Sequence, residues 1–295
     1  MLSISKHADA LEVFTKKEDE MSMSKKNQGG LVLLILMALA IFGCTTETAG
    51  EALTFDTVAQ GVTESGPADQ LFTNSKGWNI TLDKAVLAIG PIYYYSSEAQ
   101  ASLFDRMFGI NSAYACPAHA QYDKGTVLGE IRQQVVVDLL DEEPTATGVS
   151  EGEMGHCQMF ELHFHPPGEI PSFSNEKDID SLGGYSFAIS GNAEKNGEEI
   201  AFAGHLTIPD EGTMRIVESI PADVVLDGRS GLALVQIHID QQLTNLDFSS
   251  IVDESGACLE DAGDGVCQIG EDSQAYLAWL YGVRSRESYS LQWQE

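Results

Sequence analysis

Basic residues are scarce. The chain carries 16 Lys and Arg against 45 Asp and Glu, a formal charge of −29 at pH 7. That balance excludes nucleic acid as a partner, because phosphates demand the opposite sign. It also keeps the chain soluble and attracts cations. Long apolar runs are missing too. The one that stands out, Leu31 to Phe42, has twelve residues, short of the about 20 that a helical bilayer span needs. Beyond it there is no Gly-rich phosphate loop, no nucleophile motif and no Ser/His/Asp spacing of a hydrolase. A binder therefore fits better than an enzyme. Cysteine is limited to five residues.

What is present begins with an address. Lys25 and Lys26 precede the apolar run and Gly43-Cys44 follows it at once. A basic n-region, an apolar h-region and a small residue before cysteine make a secretory leader, and Ile41-Phe42-Gly43-Cys44 resembles a bacterial lipobox. Residues 1–43 are expected to be a signal peptide, with the true start at Met21 or Met23. Cys44 would be the lipidated first residue, anchoring the chain to a membrane. Thr45 after it points to the outer membrane, facing the periplasm or the surface. The first 43 residues hold five Lys and five Asp or Glu, so the remainder keeps 40 acids against 11 bases. Residues 44–74, rich in Thr, Glu, Gly and Ala, read as a lipidated flexible tether, and 75–295 as the folded domain.

Four cysteines remain: Cys116, Cys157, Cys258 and Cys267. An even number in an exported chain predicts disulfides. Cys258 and Cys267 flank a short acidic loop and are expected to close it on themselves, which leaves Cys116 with Cys157. In that loop Glu260, Asp261 and Asp264 surround Gly263 and Gly265. Calcium needs about six to eight hard oxygens, and the spacing is not that of an EF-hand. A solvated disulfide loop is the first reading, with calcium at Asp261 and Asp264 the lesser one.

The domain reads as all-β, a β-sandwich of antiparallel, jelly-roll or immunoglobulin-like type with one or two short helices. Trp78, Ile80 and Leu82 alternate with polar residues, and Ala85 to Tyr95 is apolar with aromatics at its end. Ser97 to Phe108 predicts a short helix. Val135 and Val137 alternate with Gln134 and Val136. Gly184–Ser190 and Ile200–Ile208 form a hairpin through Asn196-Gly197, a type I′ signal, and Leu232 to Gln242 is the next hairpin partner. Ser273 to Tyr281 is a helix packing Leu277 and Leu280, and Tyr289, Leu291 and Trp293 belong to a last strand.

The stretch Met159 to Glu169, MFELHFHPPGE, is the one with chemistry. At a period of two, Phe160, Leu162 and Phe164 share one face and Glu161, His163 and His165 the other. Histidines at i and i+2 lie about 6–7 Å apart at the backbone, so both nitrogens reach one ion at about 2.0–2.1 Å. Pro166-Pro167-Gly168 ends the strand near a rim. The competing reading is an exposed polar edge that happens to hold two histidines. By the same periodicity His205 and His238 face away from the apolar sides of their strands. His119 and His156 lie near the expected Cys116–Cys157 bond. Each alone reads as a surface residue; together they are candidate further ligands.

The His163-Phe164-His165 strand resembles two families. In α-class carbonic anhydrases a His-Phe-His strand gives two of three zinc ligands, with His205 the matching third here; the resemblance ends there, since the other zinc-site segments are absent and Pro166 stands where a Trp follows. The pair is also similar to that of exported copper-binding β-sandwich proteins of the methanobactin-partner type, in a strand-rich chain that begins near Trp78, although no Trp-x-His stands beside it. That resemblance implies copper held by His163, His165 and a further histidine. Imidazole suits copper and zinc alike. The sequence reading is thus an outer-membrane-tethered lipoprotein binding a transition metal, copper first, through His163 and His165 with His205, His238 or His119. The alternatives are a cell-surface structural or interaction sandwich that meets another envelope protein, and a zinc hydrolase or lyase with Glu161 as base.

Overall fold

One strand carries the architecture. In a computed structural model, which describes residues 52–67, 70–96, 125–165, 179–208, 213–227 and 231–294, strand β4 runs seventeen residues, Asn79–Tyr95. The expected helix at Ser97–Phe108, together with His119, Cys116, Cys44 and the leader, lies outside the described residues. On one edge of β4, β9 (Phe187–Lys195) pairs with residues 79–87 and β8 (Gly155–Phe164) with residues 89–95. On the other edge sit β3 (Leu71–Thr73), β6 (Val135–Asp138) and β5 (Val127–Ile131). The handover from β9 to β8 falls at Ala88, and just beyond it, at Gly90-Pro91, the register with β8 shifts between Ile89 and Ile92. Gly90 has φ +111, and a Cβ there would stand 2.2 Å from the Gln133 carbonyl oxygen, so the position accepts only glycine.

The remaining strands extend this centre into an all-β, sandwich-like fold. The sheet path runs β13 (Cys267–Ile269), β10 (Glu198–Leu206), β9, β4, β5, β7 (Thr145–Glu153), β1 (Ala52–Thr63), β12 (Leu232–His238) and β14 (Tyr289–Gln294), while β11 (Ile216–Leu226) pairs with the free edge of β8. Pairing is antiparallel except between β1 and β12 and between β10 and β13, so the sandwich is mixed at two places. Trp78, Trp279, Tyr94, Phe160, Phe164, Phe187, Phe202 and Phe248 are fully buried in one large core. Trp78 donates its indole N–H to Asp247 Oδ1 at 3.1 Å, which satisfies the polar end of an otherwise apolar burial. A second, smaller apolar cluster of Val86, Ala88, Val136, Leu182 and Ala188 lies apart from it. Val86 and Ala88 alternate with Leu87 and Ile89 of the main core, so this cluster covers the opposite face of β4. Leu182 reaches it from α1 (Ile179–Leu182).

The Asn196-Gly197 hairpin forms as expected, with φ +55 and +85 at its two turn residues. Three expectations are corrected. Ala52–Thr63, placed in the tether, is β1, paired with β7 and β12 on its two edges and with Leu53, Phe55, Thr57 and Ala59 buried. Gly61 within it packs directly on the backbone of Leu139, where a Cβ would meet the carbonyl oxygen at 2.0 Å, so this glycine serves a close strand approach and not a flexible linker. Asn74, at the expected end of the tether, is also buried, donating to the carbonyls of Leu243 and Leu246. Next, β12 is no hairpin partner of β10. It lies parallel to β1 and antiparallel to β14, and becomes helical at α2 (Ile239–Gln242). Finally, α3 (Gln274–Val283), capped by Ser273, buries Ala275, Tyr276, Trp279 and Val283, while Leu277 is 47% exposed. The large indole sets its inward face, with Leu280 packed against the core as expected and Leu277 turned out.

Candidate functional site

Strand β8 alternates as its sequence dictates. Phe160, Leu162 and Phe164 are in the core. The opposite face is not an exposed edge, because Glu161 is 5% exposed and His165, the first residue past the strand, 3%. His163 between them is partly buried. Its Nε2 lies 2.7 Å from Glu161 Oε1, and its ring stands 5.5 Å from that of Tyr93 on β4. A carboxylate on one ring nitrogen orients the imidazole and leaves Nδ1 as the nitrogen for another partner. Tyr93 is in register with Glu161 on one side and Glu130 on the other. Burial first, and then these two carboxylates, push its phenol above the usual range, with Arg132 opposing.

His165 is held from the other direction. Arg215, just before β11, donates from Nη1 to His165 Nδ1 at 3.2 Å. Guanidinium has no acceptor, so Nδ1 must carry the lone pair, and a neutral His165 keeps its proton on Nε2. The site is therefore a polar strip across β4, β8 and the start of β11, made of Tyr93, Glu161, His163, His165 and Arg215. Tyr93 and Arg215 are absent from the sequence reading. Their only signal is position: Tyr93 pairs with Glu161, and Arg215 precedes the residue paired with His163.

The other histidines stand elsewhere. His205 on β10 is aligned through Ala188 with Val86 of β4, and its ring stacks on Tyr185 at 4.6 Å. Burial and then Lys84 lower its pKa. His238, at the end of β12, places Nε2 2.9 Å from Ser290 Oγ, with its pKa lowered by burial against the pull of Asp240. In the sheet path β5, β7 and β1 separate it from β4. His156, at the far end of β8, has Nε2 2.6 Å from Asp223 Oδ1. Seven residues of strand, about 23 Å, divide it from His163. Among the described residues no three or more of His, Cys, Asp and Glu converge so as to hold a metal. His163 and His165 stand two residues apart at the end of β8, contacted by Glu161 and Arg215 respectively.

The cysteines divide in the same way. Cys258 and Cys267 are bonded as expected. Cys157 is a free, buried thiol whose Sγ donates to the Met159 carbonyl, and burial pushes it up to about 11. It faces the core, and its expected partner Cys116 lies outside the described residues. In the disulfide loop Asp261 Oδ1 accepts from Gly263 N at 2.8 Å, and just before it Asp253 Oδ1 accepts from Ser255 N and Ala257 N. These carboxylates cap their own turns rather than converge on a calcium ion. Among the described residues no helix is long and apolar enough to cross a membrane.

No protein-family model matches the chain, and no curated protein sequence matches it. Among solved structures the chain is similar to MbnP from Methylosinus trichosporium, with a TM-score of 0.38 and 11% identical residues, over 82% of this chain and 98% of that one.

Proposed function

We propose that this protein is an exported β-sandwich, tethered to the outer membrane through Cys44, that binds a transition metal, copper or zinc, through His163 and His165. The observation that carries the reading is His163 on the non-core face of β8 with the buried Glu161 carboxylate 2.7 Å from its Nε2, and a buried His165 two residues on, just past the strand. A carboxylate, an imidazole and a free ring nitrogen in sequence are the outer-shell arrangement of a histidine metal ligand. The donor set is nitrogen and oxygen with no thiolate, which fits copper and zinc alike. The leader at Leu31–Phe42 and the cysteine that follows support export and lipid attachment.

One observation favours a second reading. Arg215 brings a positive charge onto His165 Nδ1, and a cation binds there only when that guanidinium withdraws. If it stays, the strip is a buried hydrogen-bonded network of a protein-interaction sandwich.

The test uses the full chain, exported with its own leader and purified without a histidine tag. Wild-type protein is expected to carry or take up about one copper or zinc per chain, and His163→Ala/His165→Ala to carry none. Absence of metal from wild type, together with no uptake of Cu(I), Cu(II) or Zn(II), leaves the interaction sandwich as the better account.

A further inference from the structure

Val135 of β6, Ile89 of β4 and Phe164 of β8 lie side by side in register, and all three face the main core. Their chain neighbours fall on the opposite face, since successive side chains alternate. In one direction these are Val136, Ala88 and His165, of which Val136 and Ala88 meet in the second apolar cluster. In the other direction they are Gln134, Gly90 and His163. The register shift sets His163 opposite Gly90 and Pro91. Gly90 has no side chain, so at that position none stands between Gln134 and His163. Two strand spacings, about 10 Å, separate their backbones, a gap that a glutamine and a histidine side chain span from either side onto one ion.

Gln134 is 1% exposed, and among the described residues neither its amide oxygen nor its amide nitrogen has a hydrogen-bond partner. Burying an amide without partners destabilises the fold, and groups left so in folded proteins call for a specific reason. The three residues after it are all valine, so an apolar side chain suits this segment. The amide is tolerated on the same face, and in the same row, as His163.

We propose that Gln134 is a third protein ligand of the His163/His165 site, its side-chain oxygen binding the ion held by the imidazoles. The inference rests on the metal reading of that pair and deepens it. A neutral amide oxygen is a hard donor, so a site of two imidazoles and an amide favours a divalent ion, Cu(II) or Zn(II), over Cu(I), which prefers sulfur.

The test compares wild type, Gln134→Leu, Gln134→Glu and His163→Ala as full chains, stripped of metal and titrated with Cu(II), Zn(II) and, under reducing conditions, Cu(I) against a chromophoric chelator. Gln134→Leu is expected to melt at the wild-type temperature or above it when metal-free, because the unpaired amide is gone. Its affinity for Cu(II) and Zn(II) is expected to fall about tenfold or more, with a smaller change for Cu(I). Gln134→Glu, which keeps an oxygen donor, retains divalent affinity. Wild-type affinity in Gln134→Leu while His163→Ala loses binding overturns this inference and leaves the histidine pair standing. A lower melting temperature with unchanged affinity in Gln134→Leu overturns it too, by making the amide structural. Failure of wild type to bind any of the ions overturns both.

Discussion

Arg215 decides what His165 can do. With its guanidinium donating to Nδ1, a neutral His165 holds its proton on Nε2, and neither ring nitrogen is free to ligate. His163 is poised differently, since Glu161 takes Nε2 and leaves Nδ1. The two imidazoles of one motif thus differ in readiness, and ion binding couples to withdrawal of one arginine. At the same scale, the half-buried histidines outside the site make a prediction about pH. His238 has its pKa lowered in the fold, by burial, from an ordinary value of 6.5. Between that lowered value and 6.5 the unfolded chain binds more protons than the folded one, so stability rises with pH through this window and falls on acidification below 6.5. His205 acts in the same direction, through burial and Lys84. His238→Gln is therefore expected to flatten the dependence of urea-unfolding stability on pH just below 6.5. A slope identical to wild type would contradict it.

At the scale of elements, the β9–β10 hairpin places His205 opposite Ala188 through a turn that needs left-handed backbone at both central residues. A β-branched side chain at φ +85 costs about 1–2 kcal/mol. Gly197→Val is accordingly expected to lower unfolding stability by about that amount, read from the denaturant midpoint, and an unchanged midpoint would contradict the turn. This hairpin was legible in the sequence because Asn-Gly between two alternating arms is a local signal, and the alternation of β8 was legible for the same reason. Strand β1 was not. Its burial depends on β7 and β12, far away in the chain, and its parallel pairing with β12 leaves no turn to read. The inward face of α3 was missed because Trp279 and Tyr276, not Leu277, meet the core. Within the site, His163 and His165 were visible as a spacing, whereas Tyr93 came to it only through register across β4 and Arg215 through register across β8; the proposed ligand Gln134 likewise depends on register across β4.

At the scale of the whole molecule, a charge of −29 sits on a chain with 16 bases. Compact folding brings these carboxylates together, and their repulsion weakens the folded state until salt screens it. The Debye length falls from about 30 Å at 0.01 M to about 10 Å at 0.1 M. The melting temperature is expected to rise over that interval of sodium chloride, and a flat or falling trend would show that the acidic surface does not strain the fold. The same field draws cations toward the protein, while the strip around His163 and His165 supplies the donors that would select among them.

The most direct measurement is a crystal structure of the protein soaked with copper or zinc, with anomalous diffraction collected at the metal edge. The account predicts a peak bonded to His163 and His165 at about 2.0–2.1 Å, with Arg215 turned away from His165 Nδ1. Metal bound only elsewhere, at the Cys258–Cys267 loop or at His156 and Asp223, with the Arg215–His165 hydrogen bond intact, would contradict it.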